Sequence, residues 1–74
     1  MPKLPVLSGK DVVKALRKLH YELDHQTGSH MILRQRTEPF RRLTIPNHNV
    51  VAKGTLLAII KQAGLTRDEF FELL

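Results

Sequence analysis

Cysteine is absent from the chain's 74 residues. No disulfide framework and no thiolate zinc site supports the fold, which fits a reducing compartment. No apolar run approaches the ~20 residues of a membrane span. The opening Met1-Pro2-Lys3-Leu4-Pro5 lacks the apolar core of a secretion signal. A glycine-rich phosphate loop is missing too, because Gly9, Gly28, Gly54 and Gly64 stand apart. Neither a His-x-x-x-His helix pair nor a nucleophilic serine motif occurs, so a zinc site is not expected. Acidic residues are in the minority. Seven of them face 12 lysines and arginines, a formal charge of +5, with an isoelectric point near 10.1. That balance favours an anionic partner, nucleic acid first. The expectation is a single domain, residues 1–74, cytoplasmic, clear of the membrane and working without metal or cofactor. A core this small holds a net stability of about 3–5 kcal/mol.

What is present reads as alternating helix and strand signals. Pro2 and Pro5 keep the entry extended. Ser8-Gly9-Lys10-Asp11 opens a helix, with Ser8 as N-cap and Asp11 at the reciprocal capping position. Val12, Val13, Leu16 and Leu19 then recur at helical spacing, and Lys10, Lys14, Arg17 and Lys18 fall largely opposite. This predicts a helix over 9–19, with His20 at its exit, where a residue tolerant of the left-handed region is needed. Residues 21–25 alternate as a half-buried strand, and Gln26-Thr27-Gly28 reads as a hairpin turn. A second strand covers 29–35. Pro39 marks the next turn, and a third strand covers 40–45 until Pro46 ends it. Leu56, Ile59, Ile60 and Ala63 give a last apolar helix face closed by Gly64, and a second capping box, Thr66 to Glu69, opens a short helix to Leu74. The order α-β-β-β-α predicts an α+β domain: a three-stranded antiparallel sheet with its helices packed on one face.

The candidate site lies on the second strand. A period of two puts His30, Ile32 and Arg34 on one side and Met31 and Leu33 on the other. With Met31 and Leu33 turned to the helices, His30 and Arg34 share the open side with Arg42 and Thr44. An imidazole titrates near neutrality, with an ordinary pKa of about 6.5, and can move a proton beside cations that hold a phosphate. A hairpin centred near Thr27 would set Asp24 across from His30. His48 sits in the stiff strand exit Ile45-Pro46-Asn47-His48; its own turn would equally well hold it. His20 and His25 have no ligand spacing with the other histidines. The lysine row of the first helix is a solvated face, with phosphate binding as its second reading.

Four segments together resemble the HicA family of bacterial and archaeal toxins, also called YcfA-like proteins. They are the opening Leu-Ser-Gly-Lys-Asp-Val-Val, the triplet Gly28-Ser29-His30, the exit Ile45-Pro46-Asn47-His48, and the tail from Lys53-Gly54-Thr55 to Ala63-Gly64-Leu65-Thr66. The resemblance implies a fold like a double-stranded RNA-binding domain. It also implies an mRNA interferase, a small endoribonuclease of a type II toxin–antitoxin system, with His30 as its catalytic residue and a HicB-like antitoxin as partner. Ser29, Arg34, Arg42, His48, Lys10 and Lys14 are then the candidate RNA contacts, with mRNA as substrate. Two departures stand out: His20 replaces the family's usual glycine after the first helix, and Met31 replaces a frequent second histidine. The alternative is a non-catalytic RNA-binding module of the same fold.

Overall fold

A computed structural model describes residues 4–74; the expected extended entry at Pro2 lies outside them. The first helix, α1, spans Gly9–Leu16, and a 3-10 turn, Arg17–Leu19, follows. Both halves of the capping box form. The Asp11 amide donates to Ser8 Oγ and the Ser8 amide donates to Asp11 Oδ2, each at 3.1 Å. These bonds hold the Asp11 carboxyl below the usual carboxylate range, the contribution of the Ser8 amide being the largest. The predicted helix end at 19 is met in tightened form, since its last turn is 3-10. His20 follows at φ 68°, left-handed as its exit position demands.

Three strands come next: β1, Tyr21–Thr27; β2, His30–Gln35; and β3, Arg42–Pro46. They form one antiparallel sheet in the order β1-β2-β3. The hairpin turn is Gly28-Ser29 rather than Gln26 to Gly28, and it closes on the pair Thr27–His30. Gly28 takes φ 57°, the region a two-residue turn requires and glycine enters freely. The third strand begins two residues later than the sequence predicts. Phe40 stands at φ 58° with 61% of its surface exposed, so it belongs to the turn. Gln35 anchors that turn from the end of β2. Its Nε2 donates to the Leu19 carbonyl at 3.2 Å and its Oε1 accepts from the Arg41 amide at 3.3 Å.

Helix α2, Lys53–Gln62, and helix α3, Arg67–Glu72, complete the order. Gly64 follows α2 at φ 74°, and the Thr66–Glu69 capping box opens α3 with both of its bonds made. The short terminal helix stops at Glu72, two residues before the predicted end. The helices cover one face of the sheet. Met31, Leu33, Leu43 and Ile45 point into that layer and are buried with Val12, Leu16, Leu56, Ile59, Ile60 and Phe70. Burial of this apolar surface is the main stabilising contribution. The other face is uncovered, as the α+β reading requires. Strand β1 is more exposed than its alternation suggests. Tyr21 alone among its residues is buried, and Leu23 lines an open groove beside α1 instead of being covered by it.

Among the described residues, Tyr21 is the one whose buried side chain keeps a polar atom without a partner. Its hydroxyl is enclosed, and among the described residues no group bonds to it. Burial raises its pKa, against a smaller opposing pull from Arg41. An unbonded buried hydroxyl costs about 1–3 kcal/mol. Tyr21→Phe is therefore expected to stabilise the protein by about 1 kcal/mol in urea unfolding. The raised pKa gives the wild type a contribution that is full below the ordinary tyrosine range and lost as pH climbs through the folded value. The phenylalanine variant should lose that alkaline sensitivity. A variant less stable than wild type would show that the hydroxyl is bonded in solution.

Candidate active site

His30 is the first residue of β2 and faces away from the helices. It borders two hollows, one on the open face and one between the edge of that face and the start of α2. One, of about 440 Å³, is lined by His25, Thr27, His30, Ile32, Arg42 and Thr44. The other, of about 400 Å³, is lined by His30, Thr44, Pro46, His48, Val50, Ala52 and Thr55. Both are in the size range of small-ligand sites. The strand fixes the ring's base, and a rigid element is where a side chain that must meet a substrate is best held.

The first hollow contains a residue that strand periodicity misses. In β1, Leu23 pairs with Leu33 and His25 pairs with Ile32, so Asp24 is the extra residue of a bulge. Thr27, and not Asp24, stands opposite His30. The expected Asp24–His30 pairing is thus replaced by an Asp24–His25 pairing. Regular alternation would send Asp24 and His25 to opposite faces. The bulge turns both outward: His25 lines the hollow with His30, and Asp24 Oδ2 lies 3.9 Å from Arg42 Nη2.

Asp24 Oδ2 also lies 2.8 Å from His25 Nδ1. That hydrogen bond is the main reason the Asp24 carboxyl sits below the usual carboxylate range, and the nearby charges of Arg34, His25 and Arg42 add to it against slight burial. An ionised carboxylate only accepts, so Nδ1 carries the proton and donates. The Nε2 atom of His25 is then the ring nitrogen left for other partners.

The second hollow is built by backbone clamps. The Asn47 amide donates to the Ser29 carbonyl at 2.6 Å, and the Gly9 amide donates to the His48 carbonyl at 2.9 Å. Gly9 is needed here for closeness. A Cβ on it would stand 2.1 Å from the Pro46 carbonyl oxygen. The Ser8-Gly9 segment and the Pro46–His48 exit are therefore pressed together, and His48 is carried to the edge of the hollow that His30 shares.

The other expected contacts divide by face. Arg42 joins His30 in the first hollow. Arg34 is on the same outward side but pairs with Glu22 and Arg42 at the far end of the strand, outside both hollows. Ser29 acts through its carbonyl at the turn. Lys10 and Lys14 are on the helix side, lining a groove with Arg17, Gln26 and Asn47. Among the described residues, no three histidine, cysteine, aspartate or glutamate side chains gather closely enough to hold a metal ion. No helix among them is long and apolar enough to cross a membrane.

The architecture and this face define a class: a small basic α+β domain whose uncovered sheet presents imidazole and guanidinium groups around shared hollows. Within it, the chain belongs to the HicA toxins of bacterial toxin–antitoxin systems, whose family model matches residues 9–65. The match begins at the tightly packed Gly9 and runs through the Gly28-Ser29-His30 turn and the His48 exit to Leu65. No curated protein sequence matches the chain.

Proposed function

We propose that this toxin is an mRNA interferase that cuts transcripts with the RNA's own 2′-hydroxyl as nucleophile and His30 as a proton-transfer group. The observation that carries the reading is the placement of His30: exposed, on a rigid strand, and shared by two hollows of which one holds the Arg42 guanidinium. RNA brings the 2′-hydroxyl that DNA lacks. Cleavage then needs a proton removed from that hydroxyl, charge on the phosphate neutralised, and a proton given to the leaving 5′-oxygen. A positioned imidazole contributes about 10²–10⁴-fold to such a transfer. Arg42 is the cation nearest the reacting phosphate, and Arg34 lengthens the positive face beyond it. Ser29 and His48 contact the strand beside the cut. Lys10 and Lys14 offer charge to RNA that leaves the face past Asn47. Membership in a toxin–antitoxin family supports restraint of this activity by a HicB-like antitoxin in the cytoplasm, where transcripts are met.

Incubating the purified toxin with an end-labelled transcript, with and without EDTA, tests the reading. Cutting is expected in both arms, giving a 2′,3′-cyclic phosphate and a 5′-hydroxyl. A 2′-deoxy sugar at the mapped cut site is expected to stop cleavage at that site completely. Continued cutting there rules out attack by the 2′-oxygen. Binding of the transcript without any cutting would establish the RNA-binding module in place of the nuclease.

A further inference from the structure

Transfer at phosphorus by an internal 2′-hydroxyl has two ends. The attacking and leaving oxygens stand on opposite sides of the phosphorus in an in-line displacement. A single fixed imidazole reaches one of them. The bulge in β1 supplies a second ring for the other.

His25 is paired with Ile32, and His30 lies two residues before Ile32 on the same strand. The two histidines are thus diagonal cross-strand neighbours on the outer face, a relation that sets residues about 7–8 Å apart. Both rings border one hollow, at opposite corners of the quartet His25, Ile32, Thr27 and His30, with Thr44 and Arg42 beyond Ile32 on β3. A phosphate lying over the centre of that quartet has an imidazole toward each flank. The roles follow from the neighbours. The Asp24 carboxylate against Nδ1 is a fitting partner for a ring that must hold two protons. His30 has no such carboxylate, and the Arg42 guanidinium shares its hollow.

Resting on the nuclease reading above, we propose that His25 is a second catalytic residue, the general acid that protonates the leaving 5′-oxygen, and that Asp24 is its positioning residue. The 2′-hydroxyl proton passes to His30 as the bond from the 2′-oxygen to phosphorus forms. The bond from phosphorus to the 5′-oxygen breaks, and that oxygen takes the proton from His25 Nε2. One ring gains a proton and the other loses one, and exchange with water resets both.

The test uses two RNAs that differ in one atom. At the mapped cut site, the bridging 5′-oxygen is kept in one and replaced by sulfur in the other. A thiolate leaves without being protonated, so loss of a general acid disappears with the sulfur substrate. His25→Ala is expected to cut the oxygen RNA about 10²–10⁴-fold more slowly than wild type and the sulfur RNA at nearly the wild-type rate. Asp24→Asn should show the same rescue from a smaller loss, which a merely structural role would not produce. His30→Ala should stay slow on both. His25→Gln, close in shape, serves if the alanine variant does not fold. Wild-type cutting of the oxygen RNA by the His25 variant, or an equal loss on both RNAs, overturns the assignment and leaves the nuclease reading standing. A wild type that cuts neither RNA overturns that reading and this one with it.

Discussion

Replacing His30 with alanine is expected to abolish RNA cutting and to leave stability within about 0.5 kcal/mol of wild type. The two halves of that expectation have separate causes. The side chain is exposed at the start of β2 and faces away from the helical layer. Its neighbours along the strand, Met31 and Leu33, carry the packing instead. Removing an outward ring creates no cavity, and surface changes of this kind move folding by small amounts. The chemistry has no substitute for the ring. Of the histidines, His30 borders both hollows while His25 lines one and His48 the other, so neither of those can take its place without moving. Gel assays of a labelled transcript, run beside urea unfolding of the same preparation, measure both halves. A variant that loses cutting and also unfolds far more easily would mean that the ring acts through the fold. A variant that still cuts would remove His30 from the mechanism.

The second large effect belongs to a residue with no side chain. Gly9→Ala is expected to destabilise the protein by about 2–3 kcal/mol, the upper part of the range of about 1–3 kcal/mol for an overpacked core. Its Cβ would stand 2.1 Å from the Pro46 carbonyl oxygen and 3.0 Å from Met31 Cε. The methionine end can swing aside, but the carbonyl is backbone and can yield only if the strand exit moves. That movement breaks the bond from the Gly9 amide to the His48 carbonyl. Against a total of about 3–5 kcal/mol for so small a core, a loss of this size leaves a large unfolded fraction near physiological temperature. Thermal unfolding reads it directly. Cutting should fall further than the folded fraction alone explains, because His48 is carried away from His30. An alanine variant with wild-type melting would show that α1 and the exit are not pressed together as the distances indicate.

Local chemistry explains which parts of the structure were legible in the chain. Ser8 with Asp11 and Thr66 with Glu69 form their boxes because each needs partners only three residues away. His20 and Gly64 occupy left-handed exits that follow from where the apolar helical spacing stops. The outward direction of His30 follows from the period of the strand. What failed depended on pairing between distant segments. The delay of β3 to Arg42 comes from the left-handed Phe40, a conformation an aromatic residue gives no sign of adopting. The bulge is subtler. With Thr27 opposite His30, a regular hairpin would set the apolar Leu23 across from Arg34 on the solvent face. One extra residue restores Leu23 to Leu33. That mismatch was in the sequence, but it shows only once the turn is known to be Gly28-Ser29. Ligand spacing, the one test the sequence offers for His25, gives no sign of its place beside His30.

His30 stands on the rim of two depressions at once. A protein laid over His30 and Thr44, which line both, would lie across the rims of the two depressions together. On the nuclease reading, an antitoxin seated on this shared rim would keep RNA from both depressions at one place of contact.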